Sequence, residues 1–313
     1  MPYYPFRFVK SLDHIIFLLV HVFFPRKKYR PLRRNPVFSI NPLPFVIAFI
    51  LLSATTHAQL NPKAVEEMTV VVNLGGTLSV AGSIESANVT LHIPQEGVEG
   101  VAVTGADNWE YINDEFSNRL LLLRWNNPRG IISYDVKITV KSKAKHFSSL
   151  ADIGNDPRYL RETETIVFND DIRKMAFPYE KSWERVAELT EAVNELVDYD
   201  ISLVGERKGS DWVLQNKRGV CVEHANLLAA LLRVSGIPTR YIVGYAYSSF
   251  DDKLIGHTWV EVLNSKGEWI PFDPTWLEGN YVDATHIKTA NLMDDNQVDT
   301  LNYFGKGKIE WQR

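Results

Sequence analysis

The chain has 313 residues, of which 45% are hydrophobic and 23% are charged, a balance typical of globular proteins rather than of disordered ones. Residues 1–58 hold eight of the 34 basic residues and one of the 38 acidic ones, so the rest of the chain has a formal charge of −11. An acidic globular part argues against a nucleic-acid partner, because phosphate binding needs clustered Lys and Arg. The single cysteine, Cys221, excludes an intramolecular disulfide and a cysteine-based zinc site.

Residues 1–58 are predicted to be an export leader. A basic cluster at 26–34 precedes an apolar run at 43–54, and small residues lie just before a predicted cleavage point after residue 58. Neither this run nor an earlier one at 15–24 reaches the ~18–20 residues of a membrane-spanning helix. We therefore expect a periplasmic or extracellular protein. The alternative is an uncleaved leader that anchors the protein to a membrane through these apolar segments.

Residues 65–145 are predicted to form a small all-β sandwich domain. Apolar stretches at 69–73, 88–93, 120–125 and 134–140 are separated by glycines and an Asn-Asn-Pro turn. In the last stretch, apolar and polar residues alternate, as they do in a strand with one buried face. No catalytic pattern falls in this region, so we interpret it as a scaffold or binding module.

Residues 146–313 are predicted to form a second domain, in which a connector leads into helices. Apolar side chains recur every three to four residues over 183–199, which predicts a helix capped by Ser182. A second helix is predicted over 219–233, and its nearly all-round apolar surface indicates a central, buried position. Gly236 then ends this helix.

Cys221 falls in the first turn of the buried helix. Free backbone N–H groups and the helix dipole at that end stabilise a thiolate, which is the nucleophilic form of cysteine. The same N–H groups can bind an oxyanion. The alternative interpretation of Cys221 is a small buried structural side chain.

A thiol nucleophile needs a base, usually histidine, and that base needs an orienting group. His257 begins one predicted strand, and Asp273 ends the next. Side chains on a strand face the same side at even spacing, and a hairpin loop of odd length keeps that parity. A three-residue loop at 265–267, with Gly267 left-handed, would therefore place His257 and Asp273 on one face, whereas a two-residue loop would not. The hypothesis of a Cys-His-Asp triad thus predicts an odd loop.

Further side chains are candidates for the walls of the site. Trp259 shares the predicted face of His257, so it either lines the substrate groove or belongs to the core. The second oxyanion donor, beside the helix N-terminus, is left open among Gln215, Trp212 and Trp183.

Four blocks of sequence resemble the core of the transglutaminase-like superfamily, in that family's order. Within about residues 180–280 they are Gly-Val-Cys-Val-Glu-His-Ala, Leu-Leu-Arg-Val-Ser-Gly-Ile-Pro-Thr-Arg-Tyr, His-Thr-Trp-Val-Glu-Val and Trp-Ile-Pro-Phe-Asp-Pro-Thr-Trp. The resemblance implies an α+β, papain-like fold, in which a helix bearing Cys packs on an antiparallel sheet bearing His and Asp. It also implies that Cys221 is the nucleophile, His257 the acid and base, and Asp273 its orienter. Thr258, where the family often has alanine, is a departure that leaves these roles intact.

The sequence therefore predicts an exported thiol enzyme that acts on amide bonds of a protein or peptide through a Cys221 thioester. If water accepts the acyl group from the thioester, the enzyme is a protease or amidase; if an amine accepts it, the enzyme is a transglutaminase. The same triad serves both reactions, and hydrolysis is slightly favoured. One alternative is a catalytically silent papain-like module that binds a peptide or protein. Another is a glycan-linked amidase similar to peptide N-glycanases, without their paired zinc cysteines. This chemistry needs no cofactor or metal, and no motif is readable from His286 onward.

Overall fold

The structure, a computed structural model, describes residues 65–147, 150–248, 252–295 and 299–313. The predicted leader at 1–58 lies outside these residues. Residues 59–313 cluster into one compact unit. Among the described residues, no helix combines the length and the apolar character that crossing a membrane would require.

An antiparallel sheet of seven strands forms the N-terminal part of this unit. Its strands are β1 (Glu67–Asn73), β2 (Gly76–His92), β3 (Val98–Thr104), β4 (Asn108–Asn113), β5 (Arg119–Asn126), β6 (Gly130–Lys143) and β16 (Thr300–Gln312). The order is β1-β6-β2-β5-β4, with β3 also on β6 and β16 also on β2. Strand β6 pairs with β2 through 130–134 and with β1 and β3 through 135–143. The strands on either part of β6 share one apolar core, as an all-β domain requires.

Strand β16 lies in this sheet, although residues 146–313 were predicted to belong to the second domain. It pairs with β2 from Thr300–Thr90 to Gln312–Thr77. Of the residues in β16, only Ile309 is buried. A strand that buries so little lacks the alternation of apolar and polar residues that marks strands in a sequence, so its position could not be predicted.

Four α-helices and a second sheet make up the rest of the described chain. The helices are α1 (Asp170–Ala176), α2 (Trp183–Leu196), α3 (Ser210–Asn216) and α4 (Cys221–Val234), with short 3-10 turns at 157–160 and 201–203. The sheet is antiparallel, in the order β13 (Glu278–Gly279), β12 (Trp269–Asp273), β11 (Lys253–Leu263), β10 (Thr239–Ser248) and β15 (His286–Leu292). Two short pairs complete it: β7 (Lys145–His146) with β14 (Tyr281–Val282), and β8 (Asp198–Tyr199), parallel to β9 (Arg218–Gly219).

Helix α4 is the centre of this second part and packs against α1, α2, α3, β10 and β11. Its side chains are buried from Glu223 to Arg233, which confirms the predicted central helix. Each fully buried leucine in it contributes roughly 1.5–3 kcal/mol. Ser182 caps α2 as predicted, accepting from Arg185 N at 3.1 Å. Helix α2 ends at Leu196 rather than at residue 199, because residues 198–199 leave the helix to pair with β9. The α+β fold class is confirmed.

Candidate active site

Cys221 is the first residue of α4, and the backbone around it is held by Glu223. The Glu223 carboxylate accepts from Val220 N at 2.9 Å and from Lys208 N at 2.8 Å. Gly219 permits this arrangement, because a Cβ there would lie 2.1 Å from the Glu223 Cβ. The Cys221 side chain is half-exposed. The first N–H groups of a helix have no partner within that helix, so a nucleophile at this position lies beside donors for an oxyanion.

His257 and Asp273 meet on one face of the β11–β12 hairpin. Beyond the last strand pair, the Asn264 N–H donates to the Glu268 carbonyl at 2.9 Å, which leaves a three-residue loop at 265–267, and Gly267 has a φ of +83°. The predicted odd loop is therefore confirmed. His257 Nε2 lies 2.7 Å from Asp273 Oδ2, and both residues are buried.

Both carboxylate oxygens of Asp273 are fully engaged. Oδ1 accepts from Thr275 N at 2.7 Å and from Trp276 N at 3.3 Å, while Oδ2 faces both His257 Nε2 and His286 Nε2, the latter at 3.2 Å. Burial raises the pKa of a carboxyl group, but here the two imidazoles more than offset that effect and hold the pKa of Asp273 well below its usual range. Asp273 is therefore a fixed, ionised acceptor.

The His257 imidazole lies between an acid and a thiol. Burial lowers the pKa of His257, but the charge of Asp273, its hydrogen bond and the neighbouring Cys221 thiol raise that pKa from 6.5 to about 10. The structure thus brings the three predicted triad residues together. An imidazolium at this position can stabilise a thiolate and later give a proton to a leaving amine.

Two tryptophans cover the imidazole. The Trp276 ring stacks on His257 with centroids 4.3 Å apart and planes inclined by 12°, and the Trp259 ring lies 6.0 Å away on a similar plane. Trp259 is buried and packs with Ile242 and Val282, so of its two predicted roles it has the core one. Both rings keep water from the His257–Asp273 pair. Trp276 ends the Trp-Ile-Pro-Phe-Asp-Pro-Thr-Trp block of the sequence, which by itself indicated no role for this side chain.

The three candidates for the second oxyanion donor are separated by the structure. Trp183 stacks on Phe272 and donates from Nε1 to the Ala151 carbonyl at 2.7 Å, so its N–H is already occupied. Trp212 is half-buried on α3, beneath the cations of Lys208 and Arg218. Gln215 is exposed on α3.

A buried group that the sequence analysis missed lies behind Asp273. His286, at the start of β15, has Nδ1 3.3 Å from Asp283 Oδ1 and 3.7 Å from Glu278 Oε2. We call Asp273, Glu278, Asp283 and His286 the acid–histidine cluster. Burial raises the pKa of Glu278 to about 7, whereas hydrogen bonds to His286 and Thr285 outweigh burial and lower the pKa of Asp283.

Ligand atoms in this region are close enough for a metal ion to be considered. The donor atoms of His257, Asp273 and His286 lie within 4.8 Å of one another, and so do those of Glu278, Asp283 and His286. Hydrogen bonds already join Asp273 to His257 and to His286, and His286 to Asp283. Glu278 Oε2 accepts from Asp283 N at 3.3 Å, and Asp283 Oδ1 accepts from Thr285 N at 2.9 Å. Protons therefore account for the arrangement.

Comparisons with known proteins agree with this geometry. Residues 172–274 match the family model of the transglutaminase-like superfamily. An uncharacterized protein of Mycobacterium leprae is 33% identical over 125 residues, or 36% of this chain and 42% of that protein. A protein-glutamine gamma-glutamyltransferase of Pseudomonas aeruginosa is 28% identical over 74 residues, or 21% of this chain.

The chain thus spans less than half of the first relative and 11% of the second. Among solved structures, one named a putative cysteine protease from Cytophaga hutchinsonii shares the fold. Its TM-score is 0.53 at 18% identity, over 79% of this chain and 92% of that one. Residues 172–274, which match the family model of the transglutaminase-like superfamily, include the helix that carries Cys221 and the hairpin that carries His257 and Asp273.

Proposed function

We propose that the protein is an exported thiol enzyme that cleaves or exchanges amide bonds of a protein or peptide through a thioester on Cys221. The observation that carries the proposal is the junction of three groups. A half-exposed Cys221 lies at a helix N-terminus, its thiol is close enough to raise the pKa of His257, and His257 is held at 2.7 Å by Asp273. Export rests on the leader pattern in residues 1–58.

The chemistry follows from the positions of these groups. The Cys221 thiolate attacks the amide carbonyl carbon, and the oxygen gains the negative charge beside the free N–H groups at the start of α4. The His257 imidazolium then gives its proton to the leaving nitrogen, so the C–N bond breaks and a thioester and an amine remain. A water or a second amine attacks the thioester, His257 accepts the proton, and the Cys221 sulfur leaves. Asp273 keeps the imidazole oriented throughout.

Burial of the base strengthens this arrangement. His257 is 3% exposed and Asp273 is 0% exposed, so their attraction is weakly screened by water. Cys221 alone reaches the surface, which is where an extended peptide could lie. A buried acid–base pair behind an accessible nucleophile is what an acyl-transfer site needs.

Hydrolysis and transfer differ only in what attacks the thioester. A curated relative bears the name of a protein-glutamine gamma-glutamyltransferase, so glutamine side chains are a reasonable acyl donor to test beside peptide bonds. We incubate the purified protein with a glutamine-containing peptide, with and without a fluorescent primary amine. Mass spectrometry then measures ammonia loss, amine incorporation and backbone cleavage.

The expected result is one of these three products from the unmodified protein and none from Cys221→Ala. Asp299→Asn, which removes a carboxylate that accepts from His92 in the N-terminal sheet, should keep the activity and serves as a control for handling. If Cys221→Ala and the unmodified protein behave alike, and the peptide nevertheless binds, the chain is a peptide-binding module and the proposal fails.

A further inference from the structure

His286 is a second histidine on the carboxylate that orients His257. Its Nε2 lies 3.2 Å from Asp273 Oδ2, the same oxygen that His257 Nε2 approaches to 2.7 Å. The two rings are 5.5 Å apart and inclined by 65°, and the Trp259 and Trp276 rings meet the edge or face of His286 at 5.2 Å and 5.0 Å. His286 is therefore packed into the site and not only near it.

Both nitrogens of His286 face carboxylate oxygens. Nε2 faces Asp273, and Nδ1 faces Asp283 at 3.3 Å with Glu278 behind it at 3.7 Å. A neutral imidazole has one N–H, so it could satisfy only one of these carboxylates, whereas an imidazolium donates from both nitrogens. The geometry thus favours a buried cation in the acid–histidine cluster.

We propose that His286 is a positioning residue of the thiol site: it fixes Asp273 from Nε2 for His257, and it balances the charge of Asp283 from Nδ1. Two buried ion pairs then lie side by side, His286 with Asp283 and His257 with Asp273. Without the first pair, the negative charge of Asp283 would be unbalanced near the Cys221 thiolate.

The charged groups that face His286 agree with this balance. They are His257 on β11, Asp273 on β12, Glu278 on β13 and Asp283 in the turn before β15. Burial disfavours the charged ring, but hydrogen bonds to Asp273 and Asp283 outweigh it and raise the pKa of His286. Burial also raises the pKa of Glu278 to about 7, so that carboxyl adds little charge in acid solution.

The inference rests on the proposed function, and the test reads the triad without needing its substrate. Because Cys221 is the only cysteine, the mass gained from iodoacetamide reports that thiol alone. We measure the alkylation rate between pH 5 and pH 10 for the unmodified protein, His257→Ala and His286→Gln. Glutamine keeps an N–H donor for Asp273 but carries no charge.

His286→Gln removes a positive charge and leaves the negative charge of Asp283 unbalanced near Cys221; this disfavours the thiolate directly, because His257 already holds its proton up to about pH 10. We expect the pH of half-maximal alkylation to rise by about one unit or more, so that the rate at pH 6 falls about tenfold or more. The double variant His286→Gln with Asp283→Asn restores the charge balance and should move the profile back toward that of the unmodified protein. His92→Gln, which changes another largely buried histidine paired with a carboxylate, should leave the profile unchanged.

If His286 has a purely structural role, His286→Gln lowers thermal stability without moving the pH profile of alkylation. Adding Asp283→Asn then lowers thermal stability further. That result overturns the inference. If His257→Ala alkylates like the unmodified protein, the thiol site itself fails. If His257→Ala loses the reactivity of Cys221 but His286→Gln keeps the pH profile of the unmodified protein, the thiol site stands and this inference alone fails. Should the variants not fold, ¹⁵N NMR of the unmodified protein decides: both His286 ring nitrogens protonated at pH 7 support the inference, and a neutral ring contradicts it.

Discussion

Replacing Asp273 with Asn tests the electrostatics of the triad most directly. The substitution keeps the size of the side chain but removes the charge that faces His257 Nε2 at 2.7 Å. In the unmodified protein the pKa of His257 rises from 6.5 to about 10, a gap worth about 5 kcal/mol at ~1.4 kcal/mol per pH unit. Asp273 shares that effect with Cys221, so we assign at least half of it, about 2.5 kcal/mol, to the carboxylate.

The sign follows from the raised pKa. The His257 imidazolium of the unmodified protein persists up to about pH 10, whereas in Asp273→Asn burial is no longer opposed by the carboxylate and the charged ring is lost at much lower pH. A thiolate without an imidazolium partner forms only as an ordinary thiol does, near pH 8.5. We therefore expect iodoacetamide to modify Cys221 about 100-fold more slowly at pH 6 in this variant.

The assay is the initial rate of alkylation by mass spectrometry, beside thermal unfolding to confirm a native fold. Asp299→Asn is the matched control, because Asp299 also accepts from a histidine, His92, at 3.1 Å but lies just before β16 of the N-terminal sheet. An Asp273→Asn protein that is folded and alkylates at the unmodified rate at pH 6 would refute the reasoning.

Three further predictions concern stability and the position of β15. Burial raises the pKa of Glu278 from 4.5 to about 7, so this carboxyl keeps its proton to a higher pH in the folded state than in the unfolded state. The free energy of unfolding should therefore fall by as much as about 3 kcal/mol between pH 4.5 and pH 7. In urea titrations Glu278→Gln should lack that fall, and an equal fall in both proteins would contradict the assignment. A Cβ on Gly244 would lie 2.2 Å from a backbone oxygen of β15, whereas one on Gly256 meets nothing within 4 Å. Gly244→Ala should therefore shift β15, slow Cys221 alkylation and lower the free energy of unfolding by about 1–3 kcal/mol. Equal behaviour of Gly256→Ala would argue against a shift of β15. Leu228 is fully buried in α4, so Leu228→Ala should lower the free energy of unfolding in urea by about 2–5 kcal/mol. A loss below ~1 kcal/mol would show that α4 is not the core helix.

The parts of the site that follow from local pattern could be predicted from the sequence. The start of α4 was marked by the change from polar to all-round apolar residues, and the parity of a three-residue loop was enough to bring His257 and Asp273 together. His286 could not be found in this way. It contacts Asp273 across residues 274–285, which hold only the two short strands β13 and β14, and no periodicity connects residues that meet through such a segment. The buried run that begins at His286 was its single signal, since a histidine that opens a buried strand needs a partner.

The pairing of β16 with β2 has a consequence for how the protein is made. β2 leaves the ribosome about 210 residues before its partner, and every helix of the described chain, together with Cys221, His257 and Asp273, is synthesised in between. The N-terminal sheet must therefore wait with one strand edge unpaired until the elements of the site have been translated. An open edge of that kind can pair with another chain. Factors that slow translation between β2 and β16 should thus promote aggregation of the nascent protein more than slowing before β2 does.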